Sequence, residues 1–128
     1  MDYYLANTVD CTFDEAIERV TRALSAQGFG VLTEIDVQAT LKEKLNIDFR
    51  RYRILGACNP PFAHKALQTE DRIGLLLPCN VVVQETRDGK VEVSAINPPV
   101  AMASVENKAL EPVAGEVSAK LKAAIDSI

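Results

Sequence analysis

Between Ile73 and Thr86 the chain is apolar almost without interruption, with "GLLLPCNVVVQE" at its centre, and this segment limits the fold more than any other. Such a run normally marks a central strand buried on both faces. Pro78 stands inside it and has no N–H to give a ladder, which demands an edge position or a bulge. The reading is one strand from Ile73 to Thr86, bulged at Pro78. Arg87, Asp88, Gly89 and Lys90 then form a turn in which Asp-Gly is the strong hairpin signal, and "VEVSAIN" returns as the partner strand until Asn97, Pro98 and Pro99 end it.

The remaining elements follow from periodicity. Residues 3 to 9 read as a short strand. Thr12 with Glu15 three positions on makes a capping box, and Gly28 a left-handed stop; between them Phe13, Ala16, Ile17, Val20 and Leu24 recur at helical spacing. In "FGVLTEIDV" the alternation places Phe29, Val31, Thr33, Ile35 and Val37 on one side of a half-buried strand. "QATLKEKLN" reads as a short helix with Leu41 and Leu45 inward, "YRILGAC" as a strand ending at Cys58, and "FAHKALQTE" as a helix after the Asn59, Pro60, Pro61 joint. Leu110, Val113, Ala114, Val117, Leu121, Ala124, Ile125 and Ile128 define a long amphipathic C-terminal helix, with Pro112 either in its first turn or kinking it. This order of elements describes a single domain, 1–128, of the α+β class with one sheet and helices packed on it. A βαβ-type unit occurs twice in outline, without a residue-level repeat.

A chain of 128 residues is long enough for one core, and 48% apolar with 25% charged residues is a globular composition. The formal charge of -4 disfavours binding to phosphate backbones, whose affinity comes from Lys and Arg. The local exception is "DFRRYR", where Arg50, Arg51 and Arg53 surround Tyr52 and could hold a phosphate or a base; a solvated strand entrance is the simpler reading. Neither a signal segment nor a membrane-length apolar run is expected, and three cysteines make no disulfide framework. The expectation is a cytoplasmic protein with no nucleic-acid or membrane partner.

The cysteines raise the functional question. Cys58 lies where a strand hands over to a helix, and N–H groups at a helix N-terminus can lower a thiol pKa from about 8.5. Cys79 lies beside the inferred bulge, and Asn59 and Asn80 adjoin the two thiols. The four residues are candidates for the lining of one cleft, although buried filler is a common role for free cysteine and asparagine also serves turns. Cys58, His64 and Cys79 or Cys11 match no compact zinc spacing, so no metal is expected. Cys58 with His64 as nucleophile and base lacks an orienting third group.

"ILGACNPPFAHKAL" and "GLLLPCNVVVQETRDGKVEVSAINP" together resemble the prokaryotic family called domain of unknown function 302, and the resemblance covers nearly the whole chain. It implies a mainly antiparallel sheet curved around a long helix, TATA-binding-protein-like in outline, and frequent dimers. Its motif positions here are Cys58, Asn59, Pro60, Leu77, Pro78, Cys79 and Asn80. That family has no established biochemical activity, so the resemblance names candidate residues without assigning chemistry, and any cofactor is unknown. The expected function is therefore a small homodimeric binding or accessory module whose cleft takes a small anionic or thiol-reactive ligand. The alternatives are a thiol-dependent enzyme of sulfur or redox chemistry using Cys58, with Cys79 as resolving partner, and a dimeric interaction domain without a chemical site.

Overall fold

The structure, a computed structural model, describes residues 2–128. β1 (Tyr4–Val9) enters α1 (Phe13–Ala26) through Thr12, whose hydroxyl accepts the Glu15 N–H at 3.2 Å, as the capping spacing predicts. Gly28, at φ 86°, turns the chain out of the helix. β2 (Gly30–Asp36), α2 (Val37–Leu45), β3 (Tyr52–Cys58) and α3 (Pro60–Thr69) follow. A 3₁₀ turn over Ile73–Leu76 precedes the hairpin of β4 (Cys79–Glu85) and β5 (Val91–Ile96); a short α4 (Pro98–Ala101) and the long α5 (Glu111–Asp126) complete the chain.

The five strands form one antiparallel sheet in the order β1-β5-β4-β3-β2, so the fold is α+β. The hairpin strand β4 is central, which its apolar alternation explains: Cys79, Val81 and Val83 point into the core while Asn80, Val82 and Gln84 point away from it. Phe13, Ala16, Val20 and Leu24 of α1 and Val117, Leu121, Ala124 and Ile125 of α5 meet that inner face. Each Leu there is fully buried, so truncating Leu24 or Leu121 to Ala costs about 2–5 kcal/mol. The outer face carries Ile54, Val82 and Ile96, with Tyr4 and Tyr52.

Four sequence expectations are corrected. The apolar run is not one bulged strand: Ile73–Leu76 is a 3₁₀ turn, Leu77–Pro78 is a cis peptide, and the strand begins at Cys79. Proline thus stands just before the ladder, where its missing N–H costs nothing. The bulge lies instead in β2, between Val31 and Thr33, and it breaks the expected one-sided set. Val31 pairs with Ala57 on the inner face, whereas Thr33 pairs with Gly56 on the outer, and Ile35 is half exposed. Leu45 does not point inward; it is 63% exposed at the end of α2, which buries no residue. The βαβ outline also fails, because β2 and β3 are antiparallel neighbours and β1 lies on the far edge.

The three arginines of "DFRRYR" are engaged within the chain. Arg51 pairs with Asp14 and Glu85, Arg53 with Glu34 and Asp36, and both guanidinium groups stack over Phe13. Arg50 donates to Gln84 and lies over the Phe49 ring. These contacts stitch the entrance of β3 to α1, β2 and β4.

Candidate functional site

β3 and β5 both run antiparallel to β4, so they end at the same edge of the sheet, where β4 begins. Each ends in the same three residues, Asn59-Pro60-Pro61 and Asn97-Pro98-Pro99, followed by a helix. The correspondence extends to geometry. Asn59 (φ -106°, ψ 99°) and Asn97 (φ -99°, ψ 100°) are both buried, and each turns its side-chain amide onto the backbone preceding an edge strand. Asn59 Nδ2 donates to the Gln27 carbonyl at 3.1 Å, just ahead of β2. Asn97 Nδ2 donates to the Asp2 carbonyl at 3.1 Å, just ahead of β1, and its Oδ1 accepts from Ser118 Oγ of α5 at 2.9 Å. A residue-level repeat exists after all, confined to two joints that periodicity does not register.

Beside the Asn59 joint lies a cavity of about 330 Å³. Ala57, Cys58 and Cys79 form its floor at the sheet end. Phe62, Ala63, Ala66 and Leu67 of α3 form one wall, Val113, Ala114 and Val117 of α5 another, and Leu77, Pro78 and Met102 close the side. It opens to solvent beside Leu32 and Leu67, which are 69% and 44% exposed. Asn59 is the only lining side chain among the described residues that carries nitrogen or oxygen.

Three of the four candidate residues therefore share one cavity: Cys58, Asn59 and Cys79. Asn80 does not. It follows Cys79 on a strand, so its side chain projects from the opposite face, where it lines a shallow depression with Tyr52, Val82 and Ser94. His64 is exposed on α3 and stands outside the cavity; Cys11 is half-buried and packs against the main core. No cluster of three or more His, Cys, Asp or Glu side chains is disposed to hold a metal among the described residues. The α3 wall was readable as an apolar stripe, since Phe62, Ala63, Ala66 and Leu67 share one side of a helix. Val113, Ala114 and Val117 belong to the apolar stripe of α5 that the sequence shows, but only tertiary packing brings that stripe and Met102 to this cavity.

The chemistry of the floor follows from its surroundings. Burial pushes the Cys79 thiol up from an ordinary 9.0 to about 11, and the nearby Cys58 sulfur adds to the rise. Cys79 is thus a neutral thiol at physiological pH. The helix N-terminus beside Cys58 also differs from expectation: prolines occupy its first two positions, so its first N–H belongs to Phe62, and Asn59 makes no side-chain cap. A row of N–H donors for an anion is missing there. The cavity can hold an apolar body against two soft sulfur atoms, with one amide as a polar point.

Taken together, these features make the protein an antiparallel α+β domain with an apolar, thiol-floored cavity at one sheet end. The chain belongs to the family described as "Domain of unknown function DUF302", whose model matches residues 5–128. A crystal structure of an uncharacterised conserved DUF302 protein from Bacillus stearothermophilus superimposes with a TM-score of 0.91 at 30% identity, covering 97% of this chain and 96% of that one. An uncharacterised protein of Aquifex aeolicus (strain VF5) is 39% identical over 49 residues, which are 38% of this chain and 34% of that protein. The match thus spans about a third of the Aquifex protein. The protein's biochemical function is unknown, and no helix among the described residues is long and apolar enough to cross a membrane.

Proposed function

We propose that the protein is a single-domain cytoplasmic binding module that takes a small, predominantly apolar ligand into the cavity floored by Cys58 and Cys79. The observation that carries this reading is the lining itself: 330 Å³ of space with Asn59 as its one polar side chain. Ligand sites are typically concave and apolar with a few placed polar groups. At roughly 30 Å³ per heavy atom, a water's share of liquid volume, there is room for about ten. The expectation of a small free anion is recast accordingly, because prolines replace the donors it would need. A thiol-reactive ligand stays compatible with the sulfur floor. The thiol-enzyme alternative has less support, since Cys79 is held protonated where a resolving partner would have to ionise.

Calorimetric titration with linear alcohols tests the reading. Affinity should rise about fourfold per methylene, the equivalent of about 0.8 kcal/mol, from hexanol to octanol and then level off as the space fills. Ala63→Phe, which extends a ring into the cavity from a half-buried position, should abolish binding with an unchanged circular dichroism spectrum. Absence of binding across the series, or a rise unaffected by Ala63→Phe, counts against it. The proposal includes a homodimer, for which the paired outer-face residues Ile54 and Val82 offer an apolar surface.

A further inference from the structure

We infer that Asn59 Oδ1 is an unpaired hydrogen-bond acceptor in the cavity, and that the ligand is a neutral molecule whose hydroxyl donates to it; the inference rests on the cavity reading above. The two Asn-Pro-Pro joints supply the observation, because they agree in backbone and in the role of the amide nitrogen and part at the oxygen. At Asn97, Nδ2 donates to a backbone carbonyl and Oδ1 accepts from Ser118 Oγ at 2.9 Å. At Asn59, Nδ2 donates to the Gln27 carbonyl at 3.1 Å, and no donor among the described residues bonds to Oδ1. The side chain does not cap α3, and neither floor thiol reaches it. Turning the amide over would not hide the oxygen, since it would then face the Gln27 carbonyl, acceptor against acceptor. Gly28 makes room for the amide, a Cβ there falling 3.1 Å from Nδ2. Asn59 is only 8% exposed, yet no fully buried side-chain nitrogen or oxygen among the described residues lacks a partner. The oxygen is therefore reached from solvent, and the cavity is the space that Asn59 lines.

An acceptor of this kind fixes the polar end of the occupant. When an apolar body displaces water from the cavity, the amide oxygen loses its donor unless the body brings one. A hydroxyl does so: its proton goes to Oδ1 while the carbon skeleton lies against Phe62, Ala66 and Val117. An ether or ketone of the same size presents a second acceptor and leaves Oδ1 unpaired. A carboxylate fares worse, because it adds negative charge opposite a carbonyl dipole in an apolar space. Donor capacity, at equal size and without charge, is thus the selective feature.

The test sets 1-octanol against its isomer methyl heptyl ether, which has the same atoms and no donor, by calorimetry on the full chain. Octanol should bind about fivefold or more tighter, the low end of what an unpaired buried acceptor costs. Asn59→Leu, close in size but without the oxygen, should hold ether binding within about twofold and bring octanol down to it. That variant also loses the bond to Gln27, so the parent protein supplies a second readout. In its NMR spectrum the Asn59 side-chain carbonyl carbon should shift with octanol and stay in place with the ether. Equal affinity for the two isomers, a preference that survives in Asn59→Leu, or an Asn59 carbon that does not distinguish them overturns the inference and leaves the apolar cavity standing. Failure of both isomers to bind overturns the cavity reading with it.

Discussion

At pH 7 the Cys79 thiol keeps its proton because a thiolate there would sit inside the core, 7% exposed and close to a second sulfur. The unfolded chain releases that proton near 9.0, whereas the folded chain holds it to about 11. A raised acid pKa contributes stability that is complete below pH 9 and lost as pH climbs to 11, up to about 3 kcal/mol. Urea denaturation at pH 8 to 11 should therefore show a steeper alkaline decline for the parent than for Cys79→Ala. Parallel declines would contradict the assigned burial. The sequence made Cys58 and Cys79 legible through their proline and asparagine neighbours, and it misled at Asn80. Consecutive strand residues face opposite sides, so Cys79 and Asn80 could share a cleft only while Pro78 was read as bulging the strand. Once the ladder starts at Cys79 the alternation separates them.

Two elements depend on their Asn-Pro-Pro joints. Asn59 and Asn97 are buried amides that satisfy backbone carbonyls of Gln27 and Asp2, so Asn→Ala at either position leaves a polar group unpaired, at about 1–3 kcal/mol. Asn97→Ala should be the costlier, because it also strands Ser118 Oγ on α5. Urea midpoints of the two variants give the comparison, and a near-neutral Asn97→Ala would deny the joint its anchoring role. Capped, periodic elements were readable: α1 from Thr12 and its apolar stripe, the hairpin from Asp88-Gly89, α5 from its long repeat. Ile73–Leu76 was not, since four successive apolar residues have neither a period of two nor one of 3.6. The β2 bulge escaped for a different reason. An extra residue, here Leu32, is defined by what the partner strand fails to match, and that information lies on β3.

At the scale of the whole molecule, the strand order β1-β5-β4-β3-β2 brings residues far apart in sequence to one sheet edge. Long-range pairing of that kind has no local signature, which is why Val113 and Val117 were legible as a helix stripe but not as a cavity wall, and Met102 not at all. Sedimentation at micromolar concentration should find a dimer, and Val82→Glu on the outer face should yield a folded monomer; an unchanged dimer would move the interface elsewhere. The proposed binding requires that ligand enter the space over the two sulfur atoms. Native N-ethylmaleimide labelling, followed at each cysteine by peptide mass spectrometry with and without octanol, addresses it most directly. Cys58 should label in the folded protein and slow several-fold with octanol, Cys79 should label far more slowly, and Cys11, packed against the main core away from the cavity, should ignore the alcohol. Labelling of Cys58 only after denaturation, or at a rate indifferent to octanol, would rule out ligand entry over the sulfur atoms.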